Sequence, residues 1–488
     1  MSDALPLYRT ESVRAIERAA AAEGLDAGSL MQRAGAAAAL ELRRHWSQAR
    51  RIGVFCGSGN NGGDAYVAAL RLREAGLEVE LFALAPPRSS EAVAAHAAWC
   101  AAGGTVALFE DALPPAEVWI DGLFGTGLAR RPEGPAAAAI LALNRARAAG
   151  AAVLALDLPS GLDADCGAAP GPTVQADRTL TFIAAKPGLF TGPALDAVGD
   201  VQIAELGLAG YCARRPADAL ALEPSALFEA LPRRPRDSHK GHNGRVLAVG
   251  GDSGMEGAIV LCAEAAARAG AGWVEVASTA LAAATLRLRR PEVMGGVIAA
   301  ADRMAALQRA DAIVCGPGLG AAGLAADWFE PVLTSGRPLV LDADALNRLA
   351  MAPRRLPGAV LTPHPGEAAR LLGTDSASVQ ADRWAALDAL VERFAATVVL
   401  KGAGTLIGAP GELPRVLRAG NPGMASAGMG DALAGVVAAF RAQGLDAFRA
   451  GWAAALAHAL AADAAATEGQ RGLLAGDVIA ALRGVLPP

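Results

Sequence analysis

What most constrains this chain is a rhythm. Short apolar runs, most of them ending near a glycine, alternate with helical patterns along nearly its whole length. RIGVFCG (51–57), EVELFAL (78–84), EVWIDGLFG (117–125), AAVLALDLPSG (151–161) and RTLTFIAA (178–185) read as buried strands. Strand–helix alternation of this kind predicts a largely parallel sheet flanked by helices. Ahead of it, TESVRAIERAAAAEG and SLMQRAGAAAALELRRHW carry apolar residues at three- and four-residue spacing. They read as helices, with Thr10 or Ser12 and Ser29 as N-caps. The rhythm lapses at AGYCARRPADALALEP (209–224). It resumes with GRVLAVGG (244–251), GWVEVAS (272–278), DAIVCGPG (311–318), RPLVLDADA (337–345), GAVLTPH (358–364) and TVVLKGAG (397–404). The expectation is two α/β domains, residues 1–212 and 223–488, whose glycine motifs differ too much for them to be repeats of each other.

Composition narrows the function classes. With 53% hydrophobic and 19% charged residues the chain is globular rather than disordered. No run of about 20 apolar residues is uninterrupted, so no membrane span is expected. The start, MSDALPLYRTESVR, lacks the apolar core of a secretory signal. A net charge of −5 without basic runs argues against nucleic-acid binding. The six cysteines are scattered, which predicts reduced thiols in a cytoplasmic protein. Only three of the 44 basic residues are lysines, Lys186, Lys240 and Lys401. In so arginine-rich a chain, a surviving lysine marks a place where a compact ammonium is needed, or chance.

Three segments of the first half carry chemistry. GSGNNGGDAYVAAL (57–70) reads as a strand end, a sharp loop and a helix beginning near Asp64. Its asparagines and glycines tolerate positive φ, and its free amides at a helix start suit an anion. DGLFGTGLARR (121–131) sets Asp121 just past a strand, at the edge where α/β sheets bind ligands. LDLPSGLDADCG (156–167) does the same for Asp157, while Asp163 and Asp165 fit turn chemistry better than a cation site.

Together these segments resemble the YjeF N-terminal family, the NAD(P)H-hydrate epimerases, over nearly all of residues 10–212. The resemblance implies a Rossmann-like domain. It implies that Asn60, Asn61, Gly62, Gly63 and Asp64 bind a hydrated dinucleotide, with Gly125, Thr126, Gly127, Leu128, Ala129, Arg130 and Arg131 along it. It implies K+ on Asn61, Asp121 and Ser160, and Asp157 as the acid–base group. Ala65 stands where the family usually has glycine, a mild change inside a helical turn. Lys186, in AAKPGLF, matches a family segment without a role.

In the second half HKGHNG (239–244) lacks the third ligand a metal site needs. GGDSGMEGA, GPGLG, DADALN and TPHPGE follow strand ends, and Glu367 reads as an ordinary acidic residue at a helix start. The decisive pieces are VVLKGAGTLIG (398–408) and NPGMASAGMGDALAGVVAAF (421–440). In the second, GMGD ends at Asp431, which opens a helix. Glycine amides there form an anion hole for phosphoryl oxygens, and the carboxylate can take a proton from an attacking hydroxyl. The plain alternative for Asp431 is an N-cap.

This half resembles the ribokinase-like superfamily, and within it the YjeF C-terminal family, the ADP- or ATP-dependent NAD(P)H-hydrate dehydratases, over 225–487. That implies hydrate contacts from Ala258, Gly318, His364 and Asp431. It implies adenine-nucleotide contacts from Lys401, Gly402, Ala403, Gly404, Thr405 and Gly430. Met429 replaces the family's usual threonine, keeping the amide and losing a hydroxyl. The order of the two halves resembles the bifunctional NAD(P)H-hydrate repair enzymes. The implied substrates are the hydrates of NADH and NADPH, with ADP as co-substrate and Mg2+ on its phosphates; α/β enzymes of this kind often self-associate, so a homo-oligomer is expected. Two rival readings stand beside this one. The second half could be a small-molecule kinase, and the first a nucleotide-binding regulatory module.

Overall fold

The computed structural model describes residues 4–487 apart from 108, 110–112 and 128–129, so Leu128 and Ala129 lie outside the described residues. The chain divides into two compact units between Ala219 and Leu220. Ala4 and Leu5 group with the second unit, so the first begins at Pro6 rather than at the chain start.

The first unit is built on one parallel seven-stranded sheet. Its spatial order is Val106–Ala107, Glu78–Ala83, Arg51–Cys56, Val118–Gly122, Ala152–Leu156, Arg178–Phe182 and Asp200–Ala204. Chain order reverses direction at Arg51–Cys56, so a switch point lies between that strand and Val118–Gly122. The loops leaving their carboxyl ends form a crevice there. The short strands Val106–Ala107 and Asp200–Ala204 were not expected, because two to five residues at a sheet edge leave little pattern.

The loop after Arg51–Cys56 differs from expectation. The helix spans Asn60–Glu74, so the Asn–Asn–Gly–Gly run forms its first turn instead of preceding it. None of Gly57, Gly59, Gly62 or Gly63 has a positive φ. Close approach is what demands glycine: a Cβ on Gly57 would lie 1.8 Å from the Leu123 carbonyl oxygen, and one on Gly62 1.9 Å from that of Gly57. Helix caps also differ. Asp26, not Ser29, caps Ala27–His45, accepting the Ser29 N–H at 2.8 Å. The helix Thr10–Ala22 has no local side-chain cap, and Asp165 takes the Thr10 N–H at 2.7 Å instead.

The second unit holds a sheet of eleven strands. Its parallel centre runs Thr397–Leu400, Val360–Leu361, Leu339–Leu341, Ala312–Cys315, Arg245–Val249, Trp273–Ala277 and Met294–Gly296. Beyond Thr397–Leu400 come Leu406–Gly408 and Arg415–Leu417, paired antiparallel, then Ala219–Leu222 and Ala4–Leu7. The antiparallel pair hides in TLIG and PRVLR, too short to announce itself. A second switch point falls between Arg245–Val249 and Ala312–Cys315. There Gly251 N–H bonds to the Pro317 carbonyl at 2.9 Å.

Over this sheet lies the helix Met429–Ala442, buried nearly all round, as its Ala- and Val-rich sequence requires. It packs against Glu256–Arg268 through Gly435, where a Cβ would lie 2.1 Å from the Cys262 carbonyl oxygen. Glycine in a helix interior costs about 1 kcal/mol relative to alanine. Here it permits the helices to touch. All six cysteines are free thiols. Among the described residues no helix is long and apolar enough to cross a membrane.

Candidate active sites

The crevice of the first unit opens into a cleft of about 950 Å³. It gathers Asn60, Asn61, Asp64, Gly125, Thr126, Gly127, Arg130, Arg131 and Asp157 from a helix start and two loops that the sequence scatters between residues 60 and 157. Asp157 sits at its floor with φ of 61°. The left-handed conformation costs a non-glycine residue about 1–2 kcal/mol, so tertiary contacts hold it. Lys186 supplies them. It is 1% exposed, and its Nζ donates to Asp157 Oδ1 at 2.5 Å, Thr181 Oγ1 at 2.9 Å and the Phe182 carbonyl at 2.8 Å. Asp157 Oδ2 turns the other way, accepting the Thr126 N–H at 3.3 Å.

Two further carboxyls face this floor. Burial pushes Asp64 well above the usual carboxylate range, and the charges of Asp157 and Glu17 add to it. Burial likewise raises Glu17, with Asp157 next in weight. Sequence reasoning missed Glu17. Its signal was legible: it lies four residues after Val13 and beside Ile16, on the apolar stripe of its helix, where an acid is out of place. Asp163 has the expected turn role, accepting the N–H groups of Asp165 and Cys166 at 2.9 Å.

Asp121, Ser160 and Asn61 lie buried by the same loops: the Phe124 N–H donates to Ser160 Oγ at 2.9 Å, and Asn61 Cγ lies 3.4 Å from where a Cβ on Gly125 would stand. Asp121 is fully buried, and burial lifts its carboxyl to about 6 against the hydrogen bonds of Ser160 and Leu123. It accepts from Ser160 Oγ at 2.6 Å and from the Ser160 N–H at 2.8 Å. Asn61 is buried with both side-chain polar atoms unpartnered. A desolvated carboxylate near an orphaned amide oxygen suits a hard monovalent cation, so these residues fit the K+ that the sequence reading placed on Asn61, Asp121 and Ser160.

In the second unit Asp431 occupies the third position of the helix Met429–Ala442, after Gly428 in the left-handed conformation. Burial, then the Asp342 charge, lifts its carboxyl to about 7, with Lys401 opposing. Lys401 does not bond Asp431. Its Nζ donates to Asp342 Oδ1 at 2.8 Å and lies 3.7 Å from Glu367 Oε2. The ammonium stands at the helix start, 3.0 Å from where a Cβ on Gly430 would be. Burial opposes its charge, but Asp342 and Glu367 raise it above the ordinary lysine value.

Glu367 is therefore more than an acidic residue at a helix start. It is 5% exposed, raised by burial, and forms a capping box with His364. His364 Nδ1 accepts the Gly366 N–H at 3.0 Å, and its Nε2 lies 3.4 Å from Glu367 Oε1 on a half-exposed ring. Burial lowers the ring below the ordinary histidine value, with Lys401 adding. Ala258 and Gly318 do meet: a Cβ on Gly318 would lie 3.2 Å from the Ala258 methyl. The loop Lys401–Thr405 is shaped by glycines at φ 135° (Gly402) and 60° (Gly404), and Thr405 Oγ1 donates to the Gly402 carbonyl at 3.0 Å. Beneath it, buried Arg383 donates to the carbonyls of Leu400 at 3.2 Å and Lys401 at 3.3 Å. Asp342, Glu367 and Arg383 are what sequence reasoning left without a role. Their signal, a charged residue after a strand end for Asp342 and Glu367 and at a helix start for Arg383, is too common to single them out.

Two family models match the chain. The one described as YjeF-related protein N-terminus matches residues 27–188, and the one described as NAD(P)H-hydrate dehydratase matches 246–483. The bifunctional NAD(P)H-hydrate repair enzyme Nnr of Coxiella burnetii is 42% identical, covering 99% of both chains. That of Escherichia coli is 41% identical, covering 99% of this chain and 94% of its own. Among solved structures, the ADP/ATP-dependent NAD(P)H-hydrate dehydratase of Bacillus subtilis, co-crystallized with ATP/Mg2+, superposes with a TM-score of 0.50 and 28% identity. It covers 54% of this chain and 95% of that one. The full-length matches do not favour the kinase with a regulatory module. The chain therefore belongs to the family of bifunctional NAD(P)H-hydrate repair enzymes.

Proposed function

We propose that the first unit interconverts the R and S hydrates of NADH and NADPH, and that the second dehydrates the S hydrate at the expense of ADP. The observation that carries the reading is Asp431: a carboxyl raised to about 7, at the amide-rich start of a helix. A base poised near neutrality suits removal of a hydroxyl proton. In this reading Asp431 takes the proton of the C6 hydroxyl, whose oxygen attacks the terminal phosphorus of Mg2+–ADP. The phosphorus–oxygen bond to AMP breaks. Phosphate then leaves C6 with its bonding electrons, a proton leaves C5, and the ring double bond returns. Lys401, the Gly430 amide and the loop Gly402–Thr405 steady the phosphates, while Ala258, Gly318 and His364 border the hydrate.

In the first unit Asp157 moves a proton as the hydrated ring opens and recloses. Asn60 to Asp64 and Gly125 to Arg131 bind the dinucleotide. Asn61, Asp121 and Ser160 would hold K+, which would supply positive charge beside it. The six free thiols support a reducing, cytoplasmic setting. We also read the protein as a homo-oligomer, because α/β enzymes of this kind often self-associate.

The test uses purified protein, a mixed R/S preparation of hydrated NADH, Mg2+, and ADP, ATP or no nucleotide, followed by recovery of reduced-nicotinamide absorbance. Full recovery with ADP is expected. A stall at the S fraction removes the epimerase assignment. No recovery with either nucleotide overturns the whole reading.

A further inference from the structure

We propose that Lys186 is a positioning residue for epimerisation: it pins one oxygen of Asp157, Oδ1, so that the other, Oδ2, is the atom that carries the proton. The proposal rests on the reading of Asp157 as the acid–base group. Lys186 is the only lysine of the first unit, in a chain that uses arginine almost everywhere else. All three of its N–H bonds are consumed by protein acceptors, on Asp157, Thr181 and Phe182. Its ammonium is therefore occupied, and it acts through Asp157 rather than on substrate.

Three acceptors converging on one nitrogen suit a tetrahedral ammonium, and a planar guanidinium cannot copy them. Two further donors reach Asp157 Oδ1, the Phe182 N–H at 3.3 Å and Thr181 Oγ1 at 3.4 Å. Oδ2 stands apart. It accepts only the long Thr126 N–H bond among the described residues. It also lies 2.9 Å from where a Cβ on Gly125 would stand, a point 3.4 Å from Asn61 Cγ. So Oδ2 faces the loops that border the cleft, and the absence of a side chain at Gly125 keeps its approach open. The left-handed backbone of Asp157 shows that the carboxylate is held by its surroundings and not by local preference.

The experiment compares K186M, K186Q, D157N and the double variant D157N/K186M in the full chain. Epimerisation is measured with the R hydrate, and dehydration of the S hydrate by the same molecules is the internal control. K186M is expected to lower the epimerisation kcat about 100-fold with KM for the hydrate within about twofold, because the reacting oxygen is misplaced while binding survives. K186Q, which keeps some of the hydrogen bonds, is expected to fall between. The double variant is expected to be no slower than D157N, since residues that act as one unit are not additive. It also removes the buried unpaired charge that would unfold K186M, so the comparison survives a folding failure of the single variant. K186M with normal epimerisation beside an inactive D157N overturns the proposal and leaves the reading of Asp157 intact. So does a double variant slowed multiplicatively below D157N. A normally active D157N overturns the reading of Asp157 and the proposal with it.

Discussion

Each unit buries a lysine against an aspartate at the edge of a parallel sheet, and the two pairs are wired differently. In the first, Lys186 grips Asp157, the carboxylate read as the acid–base group. In the second, Lys401 grips Asp342 instead, and Asp431 is left without that partner. Its carboxyl rises to about 7, through burial first and the Asp342 charge second. The same residue types therefore serve opposite ends. One ammonium fixes a carboxylate in place. The other is held off by a second carboxylate, which keeps the neighbouring base protonatable near neutral pH.

That contrast can be broken most severely at Asp431. D431N is expected to lower dehydration about 10³-fold, within the span of losing a general base, while epimerisation by the same chain is unchanged. A retained dehydration rate in the absorbance assay would remove Asp431 from the chemistry. Next in size is G62A. Its methyl would lie 1.9 Å from the Gly57 carbonyl oxygen, so the first unit is expected to lose about 2–3 kcal/mol of stability and nearly all epimerisation. Calorimetry should show only one of two thermal transitions move.

A subtler change swaps the wiring itself. Because Asp431 is raised to about 7, it is protonated and idle as a base at lower pH, so wild-type dehydration should rise with pH through about 7. D342N removes a like charge and frees Lys401 to approach Asp431. Both effects favour the carboxylate, so the rise should move to lower pH. An unmoved profile would mean that burial alone sets Asp431. The smallest effect is expected from G402A, at φ 135° with its methyl 2.8 Å from Arg383 Nη1. Disturbing this loop should raise KM for ADP about tenfold, the equivalent of roughly 1.4 kcal/mol, with kcat at saturating ADP little changed.

Much of this was legible in residue order. The strand rhythm announced two largely parallel α/β sheets, and the glycine-rich motifs drew attention to Asn61, Asp121, Asp157, His364 and Asp431. Reasoning failed where a residue's meaning depended on a distant partner. Glu367 read as a routine helix-start acid, yet it lies against Lys401, thirty-four residues on. Gly57 and Gly62 read as turn-formers, yet they are there because the Leu123 and Gly57 carbonyls press on them. Lys186 stood out only by its rarity.

The division has a physical basis. Periodicity, capping chemistry and strand-end glycines are local, set by sterics and hydrogen bonding within a few residues, so the sequence by itself determined the fold class and which loops lie at the sheet edges. Charge state and division of labour are not local. Whether a carboxylate is pinned, as Asp157 is, or left near neutrality, as Asp431 is, depends on which ammonium folding brings within 3 Å and how much water it excludes. Only the tertiary structure decided that, because desolvation and short-range Coulomb forces act through space and leave no periodic trace along the chain.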